Sequence, residues 1–295
     1  MSKNTIRAKL DVIFKILFSE NLDLLSNLLS SLLGLPQNSI ENIVVKNSEI
    51  MPDGIEGKFV RMDMNMEVDG KLINVEMQYG NDPSFNDRTV YHWSKLFSGE
   101  LKRGNDYSKL KPAICINIIA YSYFKCSEYH SHFTIMEKSR HEELTDKCAI
   151  HFFELTKIGK KANKDDIAEL WLQLINAETE EELDMLKETN VAPIQKAVYI
   201  LHKMSEDEKI QEVARLREKA LHDEVSALGN AKREGILEGI LEGERKGILK
   251  GKREGRREGV LSTATNAIIL GMSDDDIVKL TGLTPSEVKD LRHGN

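Results

Sequence analysis

Asp63 and Glu76 are the residues whose types and spacing most directly suggest chemistry. Apolar and polar residues alternate on both sides of the dipeptide Asp69-Gly70, which predicts two β-strands joined by a two-residue type I′ turn. Counting outward from that turn places Asp63 directly opposite Glu76. Facing residues on antiparallel strands have Cβ atoms about 5 Å apart. The sequence therefore predicts two carboxylates held side by side.

Two carboxylates at this separation repel each other. The repulsion costs about 1 kcal/mol at 4 Å in bulk water and about 4 kcal/mol at an effective dielectric constant of 20. A hard divalent cation such as Mg²⁺ offsets it, since this ion binds one or two carboxylates and leaves room for phosphate oxygens. The same face also carries Arg61, Asn65, Glu67 and Asn74. It therefore also suits the solvent-exposed side of a hairpin whose apolar side packs on a core.

Composition limits the class of protein. A chain of 295 residues, 40% of them hydrophobic, is long enough for one substantial globular domain plus an accessory region. It contains no apolar run of the roughly 18 residues that a membrane span needs. The three cysteines form no CxxC pair, so we expect a reducing, cytoplasmic environment and no zinc framework. The net charge of -7 argues against coating nucleic acid by bulk electrostatics, although residues 88–111 are locally basic.

The order of predicted elements indicates a mixed α/β domain. Helices are expected over 11–18, 21–33 and 86–101, and strands over 43–45, the hairpin, 114–120 and 148–155. Arg88, Tyr91 and Lys95 share one face of the third helix. We place this domain at 1–165, with a helical extension to about residue 204, and an all-helical region at 205–295.

The C-terminal region contains a tetrapeptide repeat over 229–261. Glycine recurs at every fourth position from Gly235 to Gly259, although each glycine within a helix costs about 1 kcal/mol relative to alanine. Two interpretations remain open. The repeat is either a helix that self-associates into a homo-oligomer or packs on a partner, or else a flexible charged linker. At 270–293, Ser273 and Thr284 predict two short capped helices that resemble a helix-turn-helix. This tail suits either DNA reading or a protein-interaction cap.

The ordered motifs resemble the core of the PD-(D/E)XK nuclease superfamily and, within it, the recombination-promoting nuclease/transposase family. The matching segments are residues 11–18, 61–64, 74–78, 88–95 and 107–112, the glycine repeat, 270–273 and 280–283. The resemblance implies a restriction-endonuclease-like mixed sheet flanked by helices. It also implies a Mg²⁺-dependent DNA endonuclease, with Mn²⁺ or Ca²⁺ as substitutes for Mg²⁺, linked to recombination.

The resemblance assigns roles to residues of the hairpin. Asp63 and Glu76 would hold the metal, with the Met77 backbone carbonyl as a third protein ligand. Gln78 stands where the superfamily has lysine. Since an amide carries no positive charge, the activity would either be modest or depend on a cation from elsewhere, Lys95 or Lys15.

Further residues are candidates for supporting roles. Arg88, Tyr91 and Lys95 form the basic face that follows the hairpin. Asp11 either lies near the site, as an acid of the first helix does in some superfamily members, or stabilises the N-terminus of that helix. Asp53 follows a proline and spells the literal superfamily motif, but we favour Asp63 because a glycine-containing loop separates Asp53 from the hairpin.

A second function class is compatible with the sequence. Gln78 and the glycine repeat also suit a non-catalytic DNA-binding or assembly protein that retains the nuclease fold. His130 and His132 alternate on a predicted strand and are expected to be surface or edge residues rather than metal ligands.

Overall fold

The computed structural model describes residues 5–37, 39–46, 49–50, 60–61, 63–80, 82, 84–99, 101, 106–159, 161 and 163–294. Asp53, together with Lys102 and Arg103 of the basic segment, lies outside the described residues. The described strands are β1 (Ile43–Lys46), β2 (Glu49–Ile50), β3 (Val60–Arg61), β4 (Met64–Val68), β5 (Lys71–Gln78), β6 (Ala113–Ile119), β7 (His130–Phe133) and β8 (Cys148–Glu154). The described helices are α1 (Asp11–Ser19), α2 (Leu22–Leu32), α3 (Phe85–Ser98), α4 (Ile167–Asn176), α5 (Glu180–Lys187), α6 (Ala192–Met204), α7 (Glu208–Ile269), α8 (Asp274–Thr281) and α9 (Pro285–His293).

The main sheet has six strands in the order β1-β4-β5-β6-β8-β7. The central pairs, β5 with β6 and β6 with β8, are parallel, whereas the outer pairs are antiparallel. Strands β2 and β3 form a separate antiparallel pair. The sheet is therefore mixed, as predicted, and the predicted helices and strands agree with the observed ones to within a few residues.

The hairpin of β4 and β5 has the predicted register. Asp69 and Gly70 have φ values of 46° and 78°. Positive φ at both central residues is the signature of a type I′ turn, and Gly70 adopts this conformation without the steric cost that a side chain brings. The pairing runs from Val68 with Lys71 out to Met64 with Val75.

Helices cover both faces of the sheet. Met64, Val75 and their neighbours on one face join a core that includes Phe14, Phe18 and Trp171, from α1 and α4. On the opposite face, α3 packs on the strands to form a second core. The buried residues of this core are Leu72, Phe85, Leu96, Ala113, Cys115, Ile119, Ile150 and Phe152. This arrangement confirms the expected α/β architecture and places α3 directly over the polar face of β5.

The chain divides into two compact units, Met1–Asp223 and Glu224–Asn295. Helices α4 and α6 pack in the same core as α1 and α2, within the first unit. In the second unit, the end of α7 buries Ala264 and Ala267 against Ile277 and Val288 of α8 and α9. The predicted caps are present, because the Ser273 and Thr284 side chains accept hydrogen bonds from backbone N–H groups of their helices. No described helix is both long and apolar enough to cross a membrane.

Candidate active site

Asp63 lies at the open end of the hairpin, one residue before β4. Its Oδ2 atom accepts a hydrogen bond of 2.7 Å from the backbone N–H of Met77 on β5. The last strand pair is Met64 with Val75, so Asp63 and Glu76 are the next residues outward on the two sides of the hairpin. The hairpin thus brings the two predicted acids together.

Glu76 is held from its own strand and from α3. Asn74, two residues earlier on the same face of β5, donates a hydrogen bond of 2.9 Å from Nδ2 to Glu76 Oε1. The Nδ1 atom of His92 lies 3.4 Å from the same oxygen. Neither neighbour was given a role from the sequence, although Asn74 was placed on the same face as the acids. Two sequence features could have indicated these contacts. Asn74 is two residues from Glu76 on a strand, and His92 is one helical turn after Arg88.

The electrostatics of Asp63 are those of a carboxyl group among like charges. Burial, together with the negative charges of Glu76 and Asp11, raises its pKa to about 7. The Met77 N–H group and the Arg217 guanidinium oppose this increase only in part. A buried acid beside other carboxylates favours any cation that can reach it, whether a proton or a metal ion.

Asp11 is the first residue of α1 and lies near enough to act on Asp63. The N-cap residue of α1 is Leu10, and no side chain caps that end of the helix. Asp11 Oδ1 accepts a hydrogen bond of 2.6 Å from Nε of Arg217, on α7. Arg217 could not be found from the sequence, because it lies 206 residues from Asp11 in a segment assigned to the separate C-terminal region.

Gln78 is paired with an arginine. Its Oε1 atom accepts a hydrogen bond of 2.5 Å from Nη2 of Arg88, and its Nε2 atom donates one of 2.8 Å to the Gly80 carbonyl. The Nη1 atom of Arg88 donates a 3.1 Å hydrogen bond to Asp82. A guanidinium from α3 therefore stands beside the strand position where the superfamily has lysine.

The other supporting candidates are placed as follows. Tyr91 packs against the core between α3 and the sheet. Lys95 Nζ lies 5.8 Å from the centroid of the Tyr91 ring. Lys15 is exposed on α1, one turn after Asp11. Among the predicted cations, Arg88 is the one with a described hydrogen bond to Gln78.

A family model described as PD-(D/E)XK nuclease family transposase matches residues 8–231. The chain belongs to this family. The matched span contains the hairpin acids, Asp11, Arg88 and Arg217, and it confirms the resemblance drawn from the sequence. No curated protein and no solved structure gives a significant match. Membership supports a function of the nuclease or transposase type, and PD-(D/E)XK nucleases generally use divalent metal ions.

The oxygen atoms at this candidate site fit a hard cation. The Gln78 carbonyl accepts a hydrogen bond of 2.9 Å from the Ala120 N–H on the β6 side. Successive carbonyls of a strand point in opposite directions, so the Met77 carbonyl points to the β4 side, where Asp63 lies. Oxygen ligands of this kind are the ones Mg²⁺ prefers.

One other group of possible metal ligands occurs in the described part of the chain. Single ligand atoms of Glu180, Asp184 and His202 all lie within 4.8 Å of one another. His202 Nε2 is already 2.8 Å from Glu180 Oε1, and both carboxylates are exposed. This group lies on α5 and α6, apart from the hairpin, and we assign it no role.

Proposed function

We propose that the protein is a Mg²⁺-dependent endonuclease that hydrolyses phosphodiester bonds of DNA. The observation that carries the proposal is the pair Asp63 and Glu76 at the end of the hairpin, where the pKa of Asp63 is raised to about 7 by burial and by like charge. Mn²⁺ or Ca²⁺ would compete for the same oxygen ligands. Family membership supports both the substrate class and the type of metal.

The carboxylates and Met77 have distinct tasks in the proposed mechanism. Asp63, Glu76 and the Met77 carbonyl would hold Mg²⁺. When bound, Mg²⁺ polarises a phosphate oxygen and lowers the pKa of an attacking water. Asn74 and the Met77 N–H group position the two carboxylates through the hydrogen bonds they donate.

Arg88 has the task that lysine has in the superfamily pattern. Both polar ends of the Gln78 side chain are engaged, one by Arg88 and one by the Gly80 carbonyl. Gln78 therefore orients the guanidinium, and the guanidinium supplies positive charge toward the charge that develops on the phosphate. Arg88 and Lys95 also present a basic face of α3 to a DNA backbone.

Plasmid cleavage tests the proposal. We expect the wild-type protein to nick or linearise plasmid DNA with Mg²⁺ and to lose this activity in EDTA. Asp63→Asn and Glu76→Gln should each abolish cleavage, because each removes a charged metal ligand. Glu67→Gln is the matched control, since Glu67 lies on β4 in the same hairpin but pairs with Lys46 and Lys111. Equal cleavage by Asp63→Asn, Glu76→Gln and wild type would refute the assignment.

A non-catalytic DNA-binding or assembly protein is the second candidate function. The neutral side chain of Gln78, at the position where the superfamily has lysine, favours it. This candidate predicts DNA retardation in gels that is the same for wild type and Asp63→Asn, with no metal-dependent cleavage by either.

Three free cysteines, two of them buried, support a reducing, cytoplasmic location for either candidate function.

A further inference from the structure

The glycine-repeat part of α7 exposes three pairs of neighbouring apolar side chains. Their exposed fractions lie between 54% and 70%; they are Ile236, Leu237, Ile240, Leu241, Ile248 and Leu249. Further along the same helix, the apolar residues 260–268 are covered by α8 and α9. No element in the described part of the chain covers residues 236–249 in the same way.

The glycines beside these residues are not required by packing within one chain. At Gly235, Gly239, Gly243 and the four that follow at the same spacing, an added Cβ would meet nothing within 4 Å. Each glycine nevertheless destabilises the helix relative to alanine. Glycine allows close approach of another backbone, so this surface is suited to direct contact with a second helix.

Charge is distributed unequally along the repeat. Residues 234–244 contain four glutamates and no lysine or arginine, namely Glu234, Glu238, Glu242 and Glu244. Residues 245–257 contain seven basic residues and one acid; the basic residues are Arg245, Lys246, Lys250, Lys252, Arg253, Arg256 and Arg257. The acidic half and the basic half are thus complementary to each other.

We propose that two copies of the chain associate through this part of α7 in an antiparallel arrangement centred near residues 244 and 245. This arrangement places the acidic half of each copy along the basic half of the other. It also brings the pair Ile240 and Leu241 opposite Ile248 and Leu249 of the second copy. A parallel arrangement would set basic half against basic half, which is unfavourable.

Disulfide trapping in the full-length protein tests the arrangement. The background variant is Cys126→Ser, because Cys126 is exposed while Cys115 and Cys148 are buried. One copy carries Leu237→Cys and a differently tagged copy carries Lys252→Cys. In the antiparallel pair these positions face each other. Two copies of position 237 would be about 22 Å apart, since 15 residues of helix rise 1.5 Å each, and a disulfide needs Cα atoms within about 7 Å.

The expected result is a mixed disulfide between the two tagged copies and little disulfide between copies of Leu237→Cys. Arg253→Cys is the matched control, because one residue further along a helix turns the side chain about 100° away. It should give several-fold less mixed disulfide than Lys252→Cys. A strong Leu237→Cys homodisulfide would overturn the antiparallel orientation, and a monomer in sedimentation with no cross-link would overturn the association.

Charge exchange provides a second test that does not rely on cysteine chemistry. A variant with Glu234, Glu238 and Glu242 all changed to lysine should sediment as a monomer, because both halves are then basic. A variant with Lys250, Lys252 and Arg256 all changed to glutamate should also be a monomer. Mixing the two should restore a dimer that weakens at high salt. Unchanged self-association of either variant would contradict the role of charge.

Discussion

At the scale of single residues, the candidate site places a guanidinium from a helix beside an uncharged strand residue. Gln78 occupies the strand position where the superfamily has lysine, and its amide oxygen accepts a hydrogen bond from the guanidinium of Arg88. The spacing of Arg88, Tyr91 and Lys95 predicted a shared helix face, but the spacing alone did not identify which cation reaches Gln78. That choice depends on how α3 is rotated over β5, which is fixed by the packing of Phe85 and Leu96.

Replacing Arg88 tests this assignment. We expect Arg88→Gln to lower the cleavage rate about 10² to 10³-fold, the usual effect of removing one group that stabilises transition-state charge. Arg88→Lys should retain part of the activity, because it keeps the charge but loses the forked geometry. The measurement is the rate of plasmid nicking at saturating Mg²⁺.

The control for this prediction is Arg140→Gln, since Arg140 is 69% exposed and pairs only with nearby glutamates in its described contacts. It should cleave DNA at the wild-type rate. Mg²⁺ affinity should change little in Arg88→Gln. A large loss of Mg²⁺ binding would instead place Arg88 in support of the metal ligands.

At the scale of elements, local sequence signals predicted the parts of the fold that form locally. The Asp69-Gly70 turn fixed the hairpin register, and with it the neighbourhood of Asp63 and Glu76, because the turn conformation allows one pairing. The position of β7 was not predictable in this way. Residues 130–133 read as a strand, but their pairing with β8 joins segments separated by a long loop.

The histidines of β7 and β8 lead us to expect that the stability of the fold decreases in acid. His130 and His132 lie on the edge strand, as expected, and His130 Nε2 is 2.9 Å from Nδ1 of His151. Burial, together with the His132 and His130 imidazoles, lowers the pKa of His151 from 6.5 to about 3. The unfolded state therefore takes up a proton below pH 6.5 that the folded state refuses until about pH 3.

Stability should consequently fall as the pH falls from 6.5 toward 3, by at most about 1.4 kcal/mol per pH unit from this residue. His151→Phe should flatten that part of the profile, measured as the free energy of unfolding in urea at a series of pH values. His222→Gln, on the exposed surface of α7, is the control and should keep the wild-type slope. Parallel profiles for His151→Phe and wild type would show that His151 is not the sensitive group.

At the scale of the whole molecule, residues from distant parts of the chain meet at the candidate site. Asp11 begins the first helix and Arg217 lies in α7, yet the two side chains form an ion pair beside Asp63. Pairings over such separations depend on how α1, α6 and α7 pack, and no local pattern in either segment encodes them. The family match, which extends to residue 231, includes both residues.

Arg217 should weaken Mg²⁺ binding, because its positive charge lowers the pKa of Asp63 and also pairs with Asp11. We expect Arg217→Gln to tighten Mg²⁺ binding about fivefold, which corresponds to about 1 kcal/mol of removed charge repulsion. Asp11→Asn should act in the opposite direction, since it removes a negative charge from the same site. The measurement is a calorimetric Mg²⁺ titration at pH 8, where Asp63 is mostly ionised because its pKa is about 7.

Arg215→Gln is the matched control for this last prediction. Arg215 lies two residues earlier on α7 and pairs with Glu212 on the surface, at 2.7 Å, so its removal should leave the Mg²⁺ affinity unchanged. If Arg217→Gln binds Mg²⁺ no more tightly than Arg215→Gln, the ion does not bind near Asp11 and Asp63. If both variants bind more tightly, the effect comes from the overall charge of α7 and not from the Asp11 ion pair.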